Sequence, residues 1–253
     1  MKHLSFIILI ISILVFPLNV FADAKSDYEY QLAQYRKSYT EFSQLKRDYL
    51  ANPTLDNQQK ALIVARQALL ARDLSKSSYA LYLSELINAP NTSYEPFNKI
   101  LTRLGEASIF FSSSAQKSQV VTTPAELKSF SAQYSRDTLI HDRSFYYGQV
   151  AAKLAQLIRF QLDMDGVLQT IYPKLPDPRP IPLKARLDEI PVKAAQINKQ
   201  VADSTALITP TIEEGQLDPD YFTDFSTTLG DIRSRQLLLI DQLIDIDLNY
   251  AQL

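Results

Sequence analysis

Cysteine is absent from all 253 residues. That one absence excludes disulfides, thiolate metal sites, a cysteine nucleophile and a lipid-modified N-terminal cysteine. Packing alone must then supply the stability, which a chain of this length can do. Glycine is nearly as scarce, with 5 residues. So few positive-φ turns argue against a sandwich or barrel made of many hairpins. They also leave no material for a Walker A loop or a dinucleotide fingerprint. Formal charge is −2, which provides no basic footprint for nucleic acid.

Histidine is limited to His3 and His141. With no cysteine, a single histidine outside the leader described below permits no zinc site richer than one His plus carboxylates. A Ser-His-Asp arrangement lacks a Gly-x-Ser-x-Gly elbow to present its serine. Asp163-Met164-Asp165-Gly166 has part of a calcium loop but neither the full ligand spacing nor the closing Glu. Asn91-Thr92-Ser93 matches a glycosylation acceptor, a three-residue pattern that arises readily by chance. The sequence therefore reads as a non-enzyme, and no catalytic residue, metal or cofactor is assigned.

The segment that is most distinct from the rest is the N-terminus. Met1-Lys2-His3 is a short basic start, Leu4 to Phe16 is almost wholly apolar, and Pro17 and Asn19 close the run. Small residues then allow cleavage after Ala22 or after Ala24. This is the plan of a secretory signal peptide covering residues 1–24. Leu4 to Phe21 is also just long enough to span a bilayer, so an uncleaved anchor is the alternative, and the membrane is met only in that case. The expected location is secreted or extracytoplasmic, in the periplasm or at the surface of a bacterial cell.

Beyond the leader the dominant signal is helical periodicity. Tyr28, Leu32, Tyr35, Tyr39, Phe42 and Tyr49 follow steps of four and three, a heptad stripe with tyrosine as an unusual filler. Tyr28, Tyr35 and Tyr39 are expected in the core, and Tyr30 is a candidate contact residue. Asn52-Pro53-Thr54 interrupts the stripe, and Thr54 can cap a second helix running to about Ile87. That helix carries Leu62, Ala65, Leu69, Tyr79, Leu83 and Leu86, with Arg72 and Lys76 interrupting its seam. A connection this short predicts an antiparallel hairpin.

A third helix carries Ile100, Leu104, Ala107, Phe110 and Phe111, and the Ser/Thr-rich stretch from Ser112 to Thr123 is expected to fray. Thr123-Pro124-Ala125-Glu126 starts the next helix, with a capping Thr, Pro at the first position and Glu at the third. Its stripe runs through Phe130, Tyr134, His141, Phe145, Leu162 and Ile171, with Gly148 the expected weak point. Pro173, Pro176, Pro178, Pro180 and Pro182 form a stiff connector over residues 173–182. It separates residues 25–172, a long helical hairpin and two further helices, from residues 183–253, whose helices are expected to pack on the same bundle. A shorter helix is expected from Ile190 to about Ile208, carrying Val192, Ala195, Ile197 and Val201 and ended by Pro210. The last helix has the most regular stripe, Phe222, Phe225, Leu229, Ile232, Gln236, Leu239, Leu243, Ile246 and Tyr250. Leu238, Ile240 and Ile244 are expected to widen it.

These readings predict an all-α protein, an elongated antiparallel bundle of coiled-coil character with about five or six helices. The expected role is that of an exported, non-enzymatic scaffold or protein–protein interaction protein, with a protein partner or self-association. A ligand-binding or sensor-type bundle with an interhelical pocket is the alternative, and a hydrolase using His141 and carboxylates the remote one. Candidate interaction or polar-seam positions are Tyr30, His141, Gln236, Asp241 and Asp245. Gln236 is polar within a seam, a device that fixes register. Asp241 and Asp245 lie four apart on one face, and Asp247 adds a third acid nearby.

Overall fold

The computed structural model describes residues 22–89, 95–171, 181–214 and 219–250. Among these the fold is all-α, with seven helices and no strand. They are α1 (Ala22–Ala51), α2 (Leu55–Asn88), α3 (Glu95–Gln119), α4 (Pro124–Asp137), α5 (Leu139–Ile171), α6 (Ile181–Glu214) and α7 (Pro219–Tyr250). Most of the leader, the Asn91-Thr92-Ser93 triplet and most of the proline-rich connector lie outside the described residues. No helix among the described residues is long and apolar enough to cross a membrane.

The chain divides into two units. The first takes its described residues from Met1–Ala89 and Phe97–Gln149, the second from Pro90–Pro96 and Val150–Leu253. In the first unit α1 and α2 pack as an antiparallel hairpin. Tyr28 near the start of α1 meets Tyr79 near the end of α2, with ring centroids 4.8 Å apart. At the turn, Gln58 donates to the Tyr49 hydroxyl. Thr54 caps α2 by accepting from the Asn57 N–H at 3.2 Å. Among the described side chains of α1 none is fully buried, and Tyr39 is 53% exposed, contrary to its expected core position. Against a single neighbour an α-helix covers only one narrow stripe.

The central helix is α2, buried on several sides by Ala61, Ala65, Ala68, Ala71, Ser75, Ser77 and Ala80. Small side chains let neighbouring backbones come close. Ser77 donates to the Ser108 carbonyl at 3.0 Å and, one turn earlier on α2, Asp73 accepts from Ser114, so α3 runs antiparallel to α2. Ser112 to Gln119 does not fray. α3 continues to Gln119, with Ser114 and Ser118 buried and their hydroxyls donating to Asp73 and to the Ala115 carbonyl. Hydroxyls that find acceptors inside the helix package remove the penalty that made this stretch look weak.

α4 begins with the predicted capping box. The Thr123 side chain accepts from the Glu126 N–H, and Glu126 accepts from Thr123 in return. Hydrogen bonds from the Thr122 backbone and hydroxyl, and then from Thr123, hold the Glu126 carboxyl below its ordinary range. Replacing Thr123 by alanine is expected to cost about 1 kcal/mol and to speed amide exchange in the first turn of α4.

The long helix expected over residues 124–171 is interrupted at Thr138, which separates α4 from α5 and gives one helix more than the sequence suggests. Gly148 is not the break. It lies within α5, where an added Cβ would stand 3.0 Å from methyl carbons of Leu83 and Leu104.

In the second unit, the latter part of α5 packs with α6 and α7 in heptad rhythm. α6 buries Leu183, Leu187, Ile190, Ala194, Ile197, Val201 and Ser204. α7 buries Phe225, Leu229, Ile232, Gln236, Leu239, Leu243 and Ile246. Both sets alternate steps of four and three, the mark of coiled-coil packing. Arg186 pairs with Asp245 and Lys193 donates to Gln242, so α6 and α7 are antiparallel.

α6 is longer than expected, 34 residues, and contains Pro191 and Pro210. An interior proline costs about 3 kcal/mol through a lost hydrogen bond and a crowded carbonyl. The buried stripe on both sides of Pro191 offsets it, and Pro210 does not end the helix. Val192 and Ala195 face solvent, and the stripe instead passes through Ile190 and Ala194. On α5, Leu162 is likewise exposed, and Gln161 and Met164 are buried in its place. On α7, Leu238 is 63% exposed and does not widen the stripe.

Candidate functional site

Two places concentrate polar groups, one in each unit. In the first, α2 carries Arg72, Asp73 and Lys76 into contact with α3, α4 and α5. Asp73 is 0% exposed. Its Oδ1 accepts from Arg72 Nε and its Oδ2 from Ser114 Oγ, both at 2.7 Å. Successive residues on a helix point well apart, so the long Arg72 side chain must curl back to reach its neighbour. The Arg72 guanidinium also lies 3.5 Å from the centre of the Tyr134 ring on α4. One turn on, Lys76 pairs with Asp142 of α5 at 2.7 Å and lies 4.9 Å from the Phe111 ring centre.

His141 sits at the edge of this cluster, half-buried, its ring stacked on Phe110 with centroids 4.2 Å apart. Burial pushes its pKa down, while the Glu106 and Asp142 carboxylates oppose the shift. A depressed histidine pKa means the unfolded chain takes its proton first. Its contribution to stability is then complete above the unfolded pKa and lost as pH falls through the folded one. A proton NMR titration should place the His141 midpoint below the ordinary histidine range, and the His141→Phe variant should lose less stability on acidification.

The Tyr134 hydroxyl is buried beside the Asp73 carboxylate. Burial first, and the Asp73 carboxylate second, push its phenol well above the ordinary value. Tyr134 therefore stays protonated and is no general base. Both Asp73 oxygens are engaged, and Asp142 holds Lys76. Through these contacts the cluster ties α2 to α3 and α5. Arg72 and Lys76, which interrupt the apolar seam of α2, were its signal in the sequence. Asp73 and Ser114 carried none that periodicity reveals.

The second place is the surface of α6 and α7. Two hollows flank Leu238 there. One, of about 190 Å³, is bordered by Lys193, Gln200, Arg235 and Gln242. The other, of about 480 Å³, is bordered by Arg186, Glu189, Asp241 and Asp245. Asp241 and Asp245 thus share one face, with Asp245 paired to Arg186 of α6. No three His, Asp or Glu side chains among the described residues are placed to hold a metal ion.

The candidate positions divide between the two units. Tyr30 is 60% exposed on α1, and His141 lies apart from it at the α3–α5 contact. Gln236 is buried in the α7 seam, where its amide donates to the Leu157 carbonyl of α5 at 3.0 Å. Its other amide atom, Oε1, is buried without a partner. Replacing Gln236 by leucine removes that orphan and one modest hydrogen bond. The expected net result is a gain of about 1 kcal/mol, read as a raised unfolding midpoint, with the register of α7 less tightly fixed.

Compared with known proteins, the chain matches no family model, no curated protein and no solved structure.

Proposed function

We propose that this is an exported, non-enzymatic helical scaffold that works by protein–protein recognition at the cell envelope or exterior, through the face formed by α6 and α7. The observation that carries the reading is Leu238. It is 63% exposed in the middle of a helix whose seam is otherwise well filled, and it stands between the two hollows. Leu237 and Val192 are exposed as well. Narrow heptad seams leave much of each helix uncovered, and apolar side chains there suit helix-to-helix recognition. The leader pattern of residues 1–24 supports export. In the first unit the buried charges serve packing, which favours a structural role over a catalytic one. The hollows beside Leu238 are half-open rather than enclosed, which fits a docking surface better than the enclosing pocket of a small-molecule binder.

Site-specific photo-cross-linking in the native cell tests recognition. A photoreactive residue in place of Leu238 should give a discrete adduct, whereas one in place of exposed Thr227 should not. No adduct at Leu238, or equal adducts at both, counts against the reading. A fusion to a reporter that is active only outside the cytoplasm tests export, and an inactive fusion would overturn it.

A further inference from the structure

We infer that the α6–α7 face docks a second copy of the same chain, with the two α7 helices antiparallel and crossing at Leu238. This rests on the recognition reading above and commits it to one partner. The argument comes from charge placement. Asp231, Arg235, Leu238, Gln242 and Asp245 form a row, each one residue before a buried seam position of α7. Arg235 lies three residues before Leu238 and Asp241 three residues after it. Both are exposed, and neither has an ion-pair partner among the described residues.

In an antiparallel pair, residues equidistant from the crossing point meet. Arg235 then faces Asp241 of the second copy, and Asp241 faces its Arg235, on either side of a Leu238–Leu238 contact. Every contact is made twice, as two-fold symmetry requires. Farther out, Asp231 approaches Asp245 of the second copy, a like-charge contact that opposes docking and is softened by the Arg186 that pairs with Asp245. A parallel pair in register would instead set Arg235 on Arg235 and Asp241 on Asp241. The placement of Arg235 and Asp241 therefore selects against parallel docking as well as for antiparallel docking. Opposite charges placed symmetrically about an apolar centre make a self-complementary patch, as self-docking requires, whereas an unrelated partner helix imposes no such symmetry.

Sedimentation equilibrium of the purified full chain over a range of concentrations tests this. A dimer is expected. Arg235→Asp and Asp241→Arg should each weaken it by about tenfold or more, because two exposed ion pairs become two repulsions. Combining the two substitutions restores opposite charges across the axis and should restore dimerisation. Leu238→Glu should abolish it, with circular dichroism showing helicity retained. A chain that stays monomeric at high concentration, or a dimer unaffected by these variants, would overturn the inference. A monomer that still gives a Leu238 adduct with another protein in cells sinks self-docking alone. Absence of both dimer and adduct sinks the recognition reading too.

Discussion

Replacing Asp73 by alanine is expected to lower the stability of the first unit by about 3 kcal/mol, the lower end of the cost of breaking a buried ion pair from one side, because the Arg72 left behind is partly exposed. Asp73 is 0% exposed, and its oxygens hold Arg72 and Ser114. Without the carboxylate, Ser114 loses its acceptor and the guanidinium loses its counter-charge. Arg72 is already short of partners, since its Nη2 is buried without one. A loss of that size is a large part of the roughly 5–15 kcal/mol that holds a domain together. Denaturant titration should show a much lower midpoint with an unchanged slope.

The double variant separates the pair from its surroundings. With Arg72→Leu and Asp73→Leu combined, the attraction is lost but both charges are also spared dehydration. The expected loss is smaller than the sum of the two single losses, a coupling that a double-mutant cycle measures. If Asp73→Ala cost less than about 1 kcal/mol, typical of an ordinary site, the carboxylate would not be dehydrated as the structure has it.

The reasons these residues escaped a reading of periodicity are physical. Spacing of apolar side chains reports that a helix has a covered face, but not how many neighbours cover it. α7 follows its stripe from Phe225 to Ile246 because it buries one seam, and that seam was legible. The width of the stripe was not, and Leu238 is on the surface rather than inside. α2 is the opposite case. Its neighbours enclose it on several sides, so the covered surface is filled by Ala61, Ala65, Ala68, Ala71, Ser75 and Ser77, residues with little periodic signal. Arg72 then reads as an interruption, when it and Asp73 are an internal tie. Local rules failed similarly at Pro210, through which α6 continues to Glu214. Caps were more legible, because Thr54 and Thr123 act on backbone within three residues of themselves.

Gly148 shows most directly how packing overrules a local preference, and its substitution to valine is expected to cost about 3 kcal/mol, the upper part of the range for overpacked cores. Intrinsic propensity alone predicts the reverse sign, since glycine is the poorest helix former after proline. At Gly148, however, a single added carbon would stand 3.0 Å from Leu83 Cδ1 and Leu104 Cδ2, and a third contact waits at 3.1 Å. Leu83 and Leu104 are themselves buried, so neither has space to swing into without moving α2 or α3. Two further methyl groups enlarge the conflict. Gly105, Gly166 and Gly230 serve as controls, because a Cβ there meets nothing within 4 Å. Alanine at each is expected to stabilise by about 0.5–1 kcal/mol, the ordinary gain from removing glycine within a helix. Opposite signs at Gly148 and at these three positions, measured by thermal or denaturant unfolding, would establish that α5 lies against α2 and α3 at this point. A stabilising Gly148→Val substitution would mean that the three helices are farther apart than described.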